Sequence, residues 1–172
     1  MSKALFNKFI NSLSEDELRS ELKLLYSKVN KVKEHYAMEL GDDKEREKIY
    51  SKAKKDLRNL FYIRGLRRKR PKVQKIKSLL KNLESNAIFS HESVDIYLYS
   101  TEIALEYLLT RPNTTKATFN NCKENFHKAL RLINEFGLQS DFQARVQLCV
   151  KDANLIYMLE EEFNELFNQY YK

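Results

Sequence analysis

The chain has 172 residues, a formal net charge of +7, 42% apolar residues, two cysteines and three glycines. A chain of that length buries about 70% of the surface its unfolded form exposes, so a core forms without disulfide staples, and so few glycines and prolines favour helix over strand. No apolar run approaches the roughly 20 residues of a membrane span, and Gly41, Gly65 and Gly137 stand too far apart for a Gly-rich phosphate loop.

The N-terminal stretch M-S-K-A-L-F-N-K-F-I-N-S-L is broken by Asn7, Lys8 and Asn11, so an uninterrupted apolar core like that of a secretory signal is not expected there. Cys122 and Cys149 form no C-x-x-C pair and sit among apolar residues, so reduced, buried thiols in a cytoplasmic protein are expected. The charge is concentrated. From Leu57 to Leu83 there are ten basic residues and no Asp or Glu, which leaves the rest of the chain net acidic.

In chain order, Phe6, Phe9, Ile10 and Leu13 recur at helical spacing and predict a short docking helix over 3–12. Ser14 with Glu17 makes the S-x-x-E capping box, so a second helix is expected from there to about Leu40. Its apolar stripe, Leu18, Leu22, Leu25, Val29, Val32 and Tyr36, alternates steps of four and three like a heptad seam. Such a seam calls for a partner helix, within the domain or from another copy. Gly41 is read as a left-handed helix stop, and Asp42 with Glu45 as the cap of a third helix with Ile49, Ala53, Leu57, Leu60 and Phe61 on its face.

Gly65 and the basic run form a connector, and Pro71 suits the first turn of a fourth helix carrying Val73, Ile76, Leu80, Leu83 and Ala87. Ser90 caps a fifth helix, to about Thr110, that is apolar round nearly its whole circumference and is therefore read as central. Arg111-Pro112-Asn113 ends it. Thr114 caps a sixth, with Phe119, Cys122, Phe126, Leu130 and Ile133 inward, and Gly137 closes it. Ser140 with Gln143 repeats the capping-box pattern before a last helix, whose polar cluster at Asp152 to Asn154 marks a break. No segment alternates as a strand does.

Constellations that carry chemistry are sparse. One E-x-x-H pair, Glu124 with His127, lacks the second pair that a helical di-iron centre needs. His91 and Asp95, four apart, have the spacing of a base and its orienting carboxylate, or of a capping and surface pair. Neither cysteine has a histidine one turn away. No catalytic residue, metal ligand or cofactor is assigned.

The basic run remains. Arg64, Arg67, Arg68, Lys69, Arg70, Lys72, Lys75 and Lys77 fall within 14 residues, a density that attracts phosphates and carboxylates. No aromatic lies within the run to stack bases, so sequence-specific reading is not expected. Three roles stay open. The run is taken up by Asp42, Asp43, Glu45 and Glu160 to Glu162 of the same chain, by an acidic protein partner, or by nucleic acid.

As a whole, K-A-L-F-N-K-F-I-N-S-L-S-E-D-E-L at 3–18, L-K-L-L-Y-S-K-V-N-K-V-K-E-H-Y-A at 22–37, P-K-V-Q-K-I-K-S-L-L-K-N-L at 71–83 and I-Y-L-Y-S-T-E-I-A-L-E-Y at 96–107 resemble a family of short bacterial proteins. That family is known as a conserved domain of unknown function, with an all-helical fold. The resemblance implies a bacterial cytoplasmic protein and carries over no catalytic residue.

The expectation is thus an all-α, single helical domain over 1–172, with six or seven helices packed as a bundle or a short solenoid-like array. It would serve as a non-enzymatic binding or scaffold module with an exposed basic ridge, and would self-associate through the Leu18 to Tyr36 stripe. Nonspecific nucleic-acid or polyanion binding through 64–77, and an enzyme with an inter-helix site, are the alternatives.

Overall fold

The computed structural model describes residues 2–63, 67–86, 90–111 and 114–171, with 67, 68 and 86 described by backbone alone. Arg64, Gly65, Ala87, Pro112 and Asn113, which have roles in the sequence reading, lie outside the described residues. The chain divides into two units, residues 1–46 and residues 47–172.

In the first unit, α1 (Lys3–Asn11) starts at Ser2, whose Oγ accepts from the Leu5 N–H at 3.3 Å. The capping box at the head of α2 (Glu15–Lys28) is formed. Ser14 Oγ accepts from Glu17 N–H at 3.4 Å, and Glu17 Oε2 accepts from Ser14 N–H at 2.7 Å.

The expected single helix from Ser14 to Leu40 is corrected. Val29 is extended (φ −108°, ψ 105°), and α3 (Asn30–Leu40) restarts with the Val32 and Lys33 N–H groups bonded to Val29 O. The Tyr26 and Tyr36 rings lie 6.4 Å apart, whereas ten residues of continuous helix would separate them by about 15 Å. So α3 folds back against α2. Ser27 Oγ bonds to Leu24 O at 2.8 Å, and Ser27, Val29 and Asn30 are all poor helix formers, so the break needs neither glycine nor proline.

Gly41 is also not what its position implied. It is extended (φ −69°, ψ 154°), and it is glycine because a Cβ there would stand 2.1 Å from Ala37 O.

The second unit holds the core. It contains α4 (Asp43–Phe61) from residue 47 onward, α5 (Val73–Asn86), α6 (Ser90–Thr110), α7 (Lys116–Phe136), α8 (Gln139–Ala153) and α9 (Glu160–Tyr170). The described residues therefore form nine helices rather than six or seven, because the second and the last of the expected helices each divide. The α6 helix is central, as its composition implied. Val94 and Leu105 are buried on one side of it, and Ile96 and Ile103 on the opposite side.

Along α6 lies α7; α8 packs on α6, and α9 on both α7 and α8. Phe126 of α7 stacks on Phe163 of α9 with centroids 4.1 Å apart and planes 6° from parallel. Gly137 closes α7 in the left-handed conformation (φ 67°), with Leu138 N–H on Ile133 O at 2.9 Å. The Ser140 capping box does not form, because α8 starts at Gln139 and Ser140 falls inside it. The α7 N-cap is Thr115 rather than Thr114. The break after Asp152 is present, and Asn164 Nδ2 donates to Asn154 Oδ1 at 2.8 Å across it.

The described residues also contain extended structure that no alternation had signalled. Strands β1 (Tyr62–Ile63) and β2 (Arg67–Arg68) pair antiparallel, Tyr62 with Arg68 and Ile63 with Arg67. None of the described helices is long and apolar enough to cross a membrane.

Candidate functional site

The basic connector is held at both ends. Buried Tyr62 closes α4 with its ring 6.4 Å from that of Tyr107 and under the Arg58 guanidinium at 4.9 Å. After β2, Lys69 N–H donates to Phe61 O at 2.9 Å, and Pro71 is buried. Between these anchors Lys69 is half-buried, and Arg70 and Lys72 flank Pro71 in the open.

On α5, Lys75 and Lys77 are both exposed. Residues two apart on a helix differ by about 200°, so they lie on opposite flanks of buried Ile76. The expected ridge therefore divides there. Lys77 turns to α7 and pairs with Glu124 at 2.5 Å, while Lys75 lies on the other flank. Arg64 lies outside the described residues, and Arg67 and Arg68 are placed only as the backbone of β2.

Three of the six acids expected to cover this run are engaged elsewhere. Asp42 Oδ1 accepts from Glu45 N–H at 2.9 Å, Asp43 pairs with Arg46, and Glu162 pairs with Lys123 at 2.5 Å. Lys69, Arg70, Lys72 and Lys75 enter no ion pair among the described residues.

Elsewhere charge is used to join helices. Asp95 of α6 accepts Lys54 of α4 and Arg145 of α8, each at 2.6 Å, and Arg145 also forks onto Glu102 at 2.9 and 3.1 Å. Burial alone would raise the Asp95 pKa, but the hydrogen bonds from Lys54 and Arg145 outweigh it and hold the carboxyl below its ordinary value. Arg58 forks onto Glu106 at 3.0 Å through both nitrogens.

Glu84 takes Lys128 at 2.5 Å and the Tyr97 hydroxyl at 2.8 Å. Burial first, and Glu84 second, push the Tyr97 phenol far up. Asp95, Glu102 and Glu106 form one narrow acidic stripe on α6, at spacings of seven and four. That spacing is visible in the sequence and escapes a reading that attends only to the apolar residues.

The candidate chemical groups come apart. His91 rests on the Phe142 ring, centroids 4.5 Å apart, while Asp95 is occupied by Lys54 and Arg145. Glu124 and His127 share a surface hollow of about 240 Å³ with Asn120, Lys123 and Glu162. There Lys77 and Lys123 occupy the two carboxylates, and His127 Nε2 lies 3.2 Å from Tyr170 Oη. No group of three or more His, Cys, Asp or Glu among the described residues is set to hold a metal ion.

Cys122 and Cys149 are free and buried. Burial pushes both thiols well up, which makes them inert. Asn125 Nδ2 donates to Ser100 Oγ at 3.0 Å inside the core, and beside it Asn121 Nδ2 has no partner among the described residues.

Comparison with curated proteins and with solved structures returns no match. The model of a family of unknown function, DUF6155, matches residues 1–171. With all but its last residue matched, the chain belongs to that family, whose function is unknown, in agreement with the resemblance carried by its helix patterns.

Proposed function

We propose that this is a cytoplasmic, non-enzymatic docking module that takes the acidic face of a protein partner on its basic connector. The supporting observation is the contrast in charge use. Lys54, Arg58, Lys128 and Arg145 are all spent on joining helices, whereas the side chains of Lys69, Arg70, Lys72 and Lys75 make no ion pair among the described residues. Arg70 and Lys72 flank buried Pro71, so the charge is presented from an anchored segment and loses less freedom on binding. The absence of aromatics from the run favours a carboxylate surface over stacked bases. His91 on Phe142 and His127 on Tyr170 have packing roles, and no catalytic role is proposed for either.

The test compares the intact chain with a variant carrying Arg70→Glu, Lys72→Glu and Lys75→Glu, on immobilised polyglutamate and on mixed-sequence DNA. Salt-sensitive retention on polyglutamate that the triple reversal abolishes is the expected result. Preferential retention on DNA, with a salt slope of about one unit per phosphate contacted, transfers the role to nucleic acid. Retention unchanged by the reversal overturns the assignment of the connector as the binding surface.

A further inference from the structure

The α2 helix has an open apolar face and a strong lengthwise polarity. None of its residues is buried. Leu22 is 51% exposed, Leu25 41% and Tyr26 50%. The first half, Glu15 to Glu21, carries four acids and one arginine; the second half, Leu22 to Lys28, carries two lysines and no acid. Arg19 is already taken by Glu15 and Asp16, at 2.5 and 3.6 Å. Lys23 and Lys28 make no ion pair among the described residues.

Acid at the head and base at the tail is what the helix macrodipole favours. In a helix that leaves Leu22 and Leu25 of its stripe exposed, the same polarity makes the helix complementary to a reversed copy of itself.

We infer that α2 pairs antiparallel with α2 of a second copy of this chain, about a two-fold axis passing between Glu21 and Leu22. In that register Leu18 of one copy lies opposite Leu25 of the other, twice, with Leu22 at the axis. Glu15 lies opposite Lys28 at both ends. A parallel pair would set acid against acid and lysine against lysine along the whole seam, so charge selects the antiparallel form. A 14-residue helix is about 21 Å long, and a pair of that length falls below the area of standard stable interfaces. The dimer is therefore of about micromolar strength. It is independent of the basic connector.

Sedimentation equilibrium of the full chain across the micromolar range should show a reversible dimer. Leu22→Lys with Leu25→Lys changes only exposed side chains and should weaken it by about a hundredfold or more, through lost apolar burial and added like charge. Orientation is read separately with a short bis-maleimide linker, the native thiols being buried. A mixture of Glu15→Cys and Lys28→Cys chains should yield a linked heterodimer, and neither chain alone a linked product. Since these two variants keep the leucines, the linking result stands even if the lysine variant unfolds. A chain that stays monomeric above about 100 μM, a linked Glu15→Cys homodimer, or a dimer indifferent to the lysine substitutions each overturns the inference.

Discussion

Helices α2 and α7 are written with the same pattern, apolar residues at steps of three and four, and their stripes end in opposite states. In α7 the stripe Phe119, Cys122, Phe126, Leu130 and Ile133 is buried, against α6 on one side and α9 on the other. In α2, which packs on α3, the stripe Leu18, Leu22 and Leu25 leaves Leu22 and Leu25 exposed, and not one residue of the helix is buried. The contrast extends to the units that hold them. Residues 2–46 contribute only Met38 to the buried apolar set among the described residues, yet nine of its exposed large apolar side chains, from Leu5 to Leu40. Periodicity thus specifies which face of a helix is apolar. What covers that face is decided by the number of other elements that reach it.

The largest expected effect tests that contrast with one residue type. Phe126→Ala removes a fully buried ring stacked on Phe163 and should cost about 3–5 kcal/mol. Phe9→Ala, at 47% exposure in α1, should change stability by no more than about 0.5 kcal/mol. Urea unfolding of the two variants measures both. Similar penalties would mean that α1 is covered in solution, and the contrast between the units would collapse.

An intermediate effect comes from the charge that joins α4, α6 and α8. The folded-state pKa of Asp95 is lowered, so its contribution is present above the unfolded value of about 3.9 and is lost as pH falls through the folded value. Glu84, also lowered despite its burial, acts in the same direction. Asp95→Asn should cost about 1–3 kcal/mol at neutral pH, and the gap from the parent should narrow as pH drops below about 4. Equal penalties at pH 7 and pH 3 in urea titrations would remove Asp95 from the acid sensitivity of this unit.

What was legible in the sequence follows from how local each cause is. The Ser14 and Glu17 box, Gly137 and the break after Asp152 are set by chemistry within a few residues of one another, and all three are present. The break at Val29 depends on three mediocre helix formers within four residues, Ser27, Val29 and Asn30, each tolerable alone, so a heptad drawn through them looks continuous. The β1 and β2 pairing is two residues long, too short for any alternation to show, and rests on a buried tyrosine whose partner, Tyr107, is 45 positions away.

At the candidate site, composition revealed the basic run, and helix geometry alone would have separated Lys75 from Lys77. The diversion of Lys77 to Glu124 and of Glu162 to Lys123 required knowing that α5 and α9 both reach α7.

The smallest effect is the sharpest test of how the two units depend on each other. Ser14→Ala removes one half of the capping box: the acceptor for the Glu17 N–H, and the hydroxyl that helps hold the Glu17 carboxyl below its ordinary pKa, second to the bond from the Ser14 backbone. The first turn of α2 should fray, and amides of Glu17 to Ser20 should exchange faster by several-fold. No residue of α2 is itself buried, so the loss is expected to stay within that helix. Hydrogen exchange at those amides should therefore rise while the main thermal transition, set by residues 47–172, keeps its midpoint. If the midpoint falls with the cap, residues 1–46 unfold together with the core and the chain behaves as the single cooperative domain its length implied. If it holds, α2 loosens without the core, and its exposed leucines remain available to a second copy.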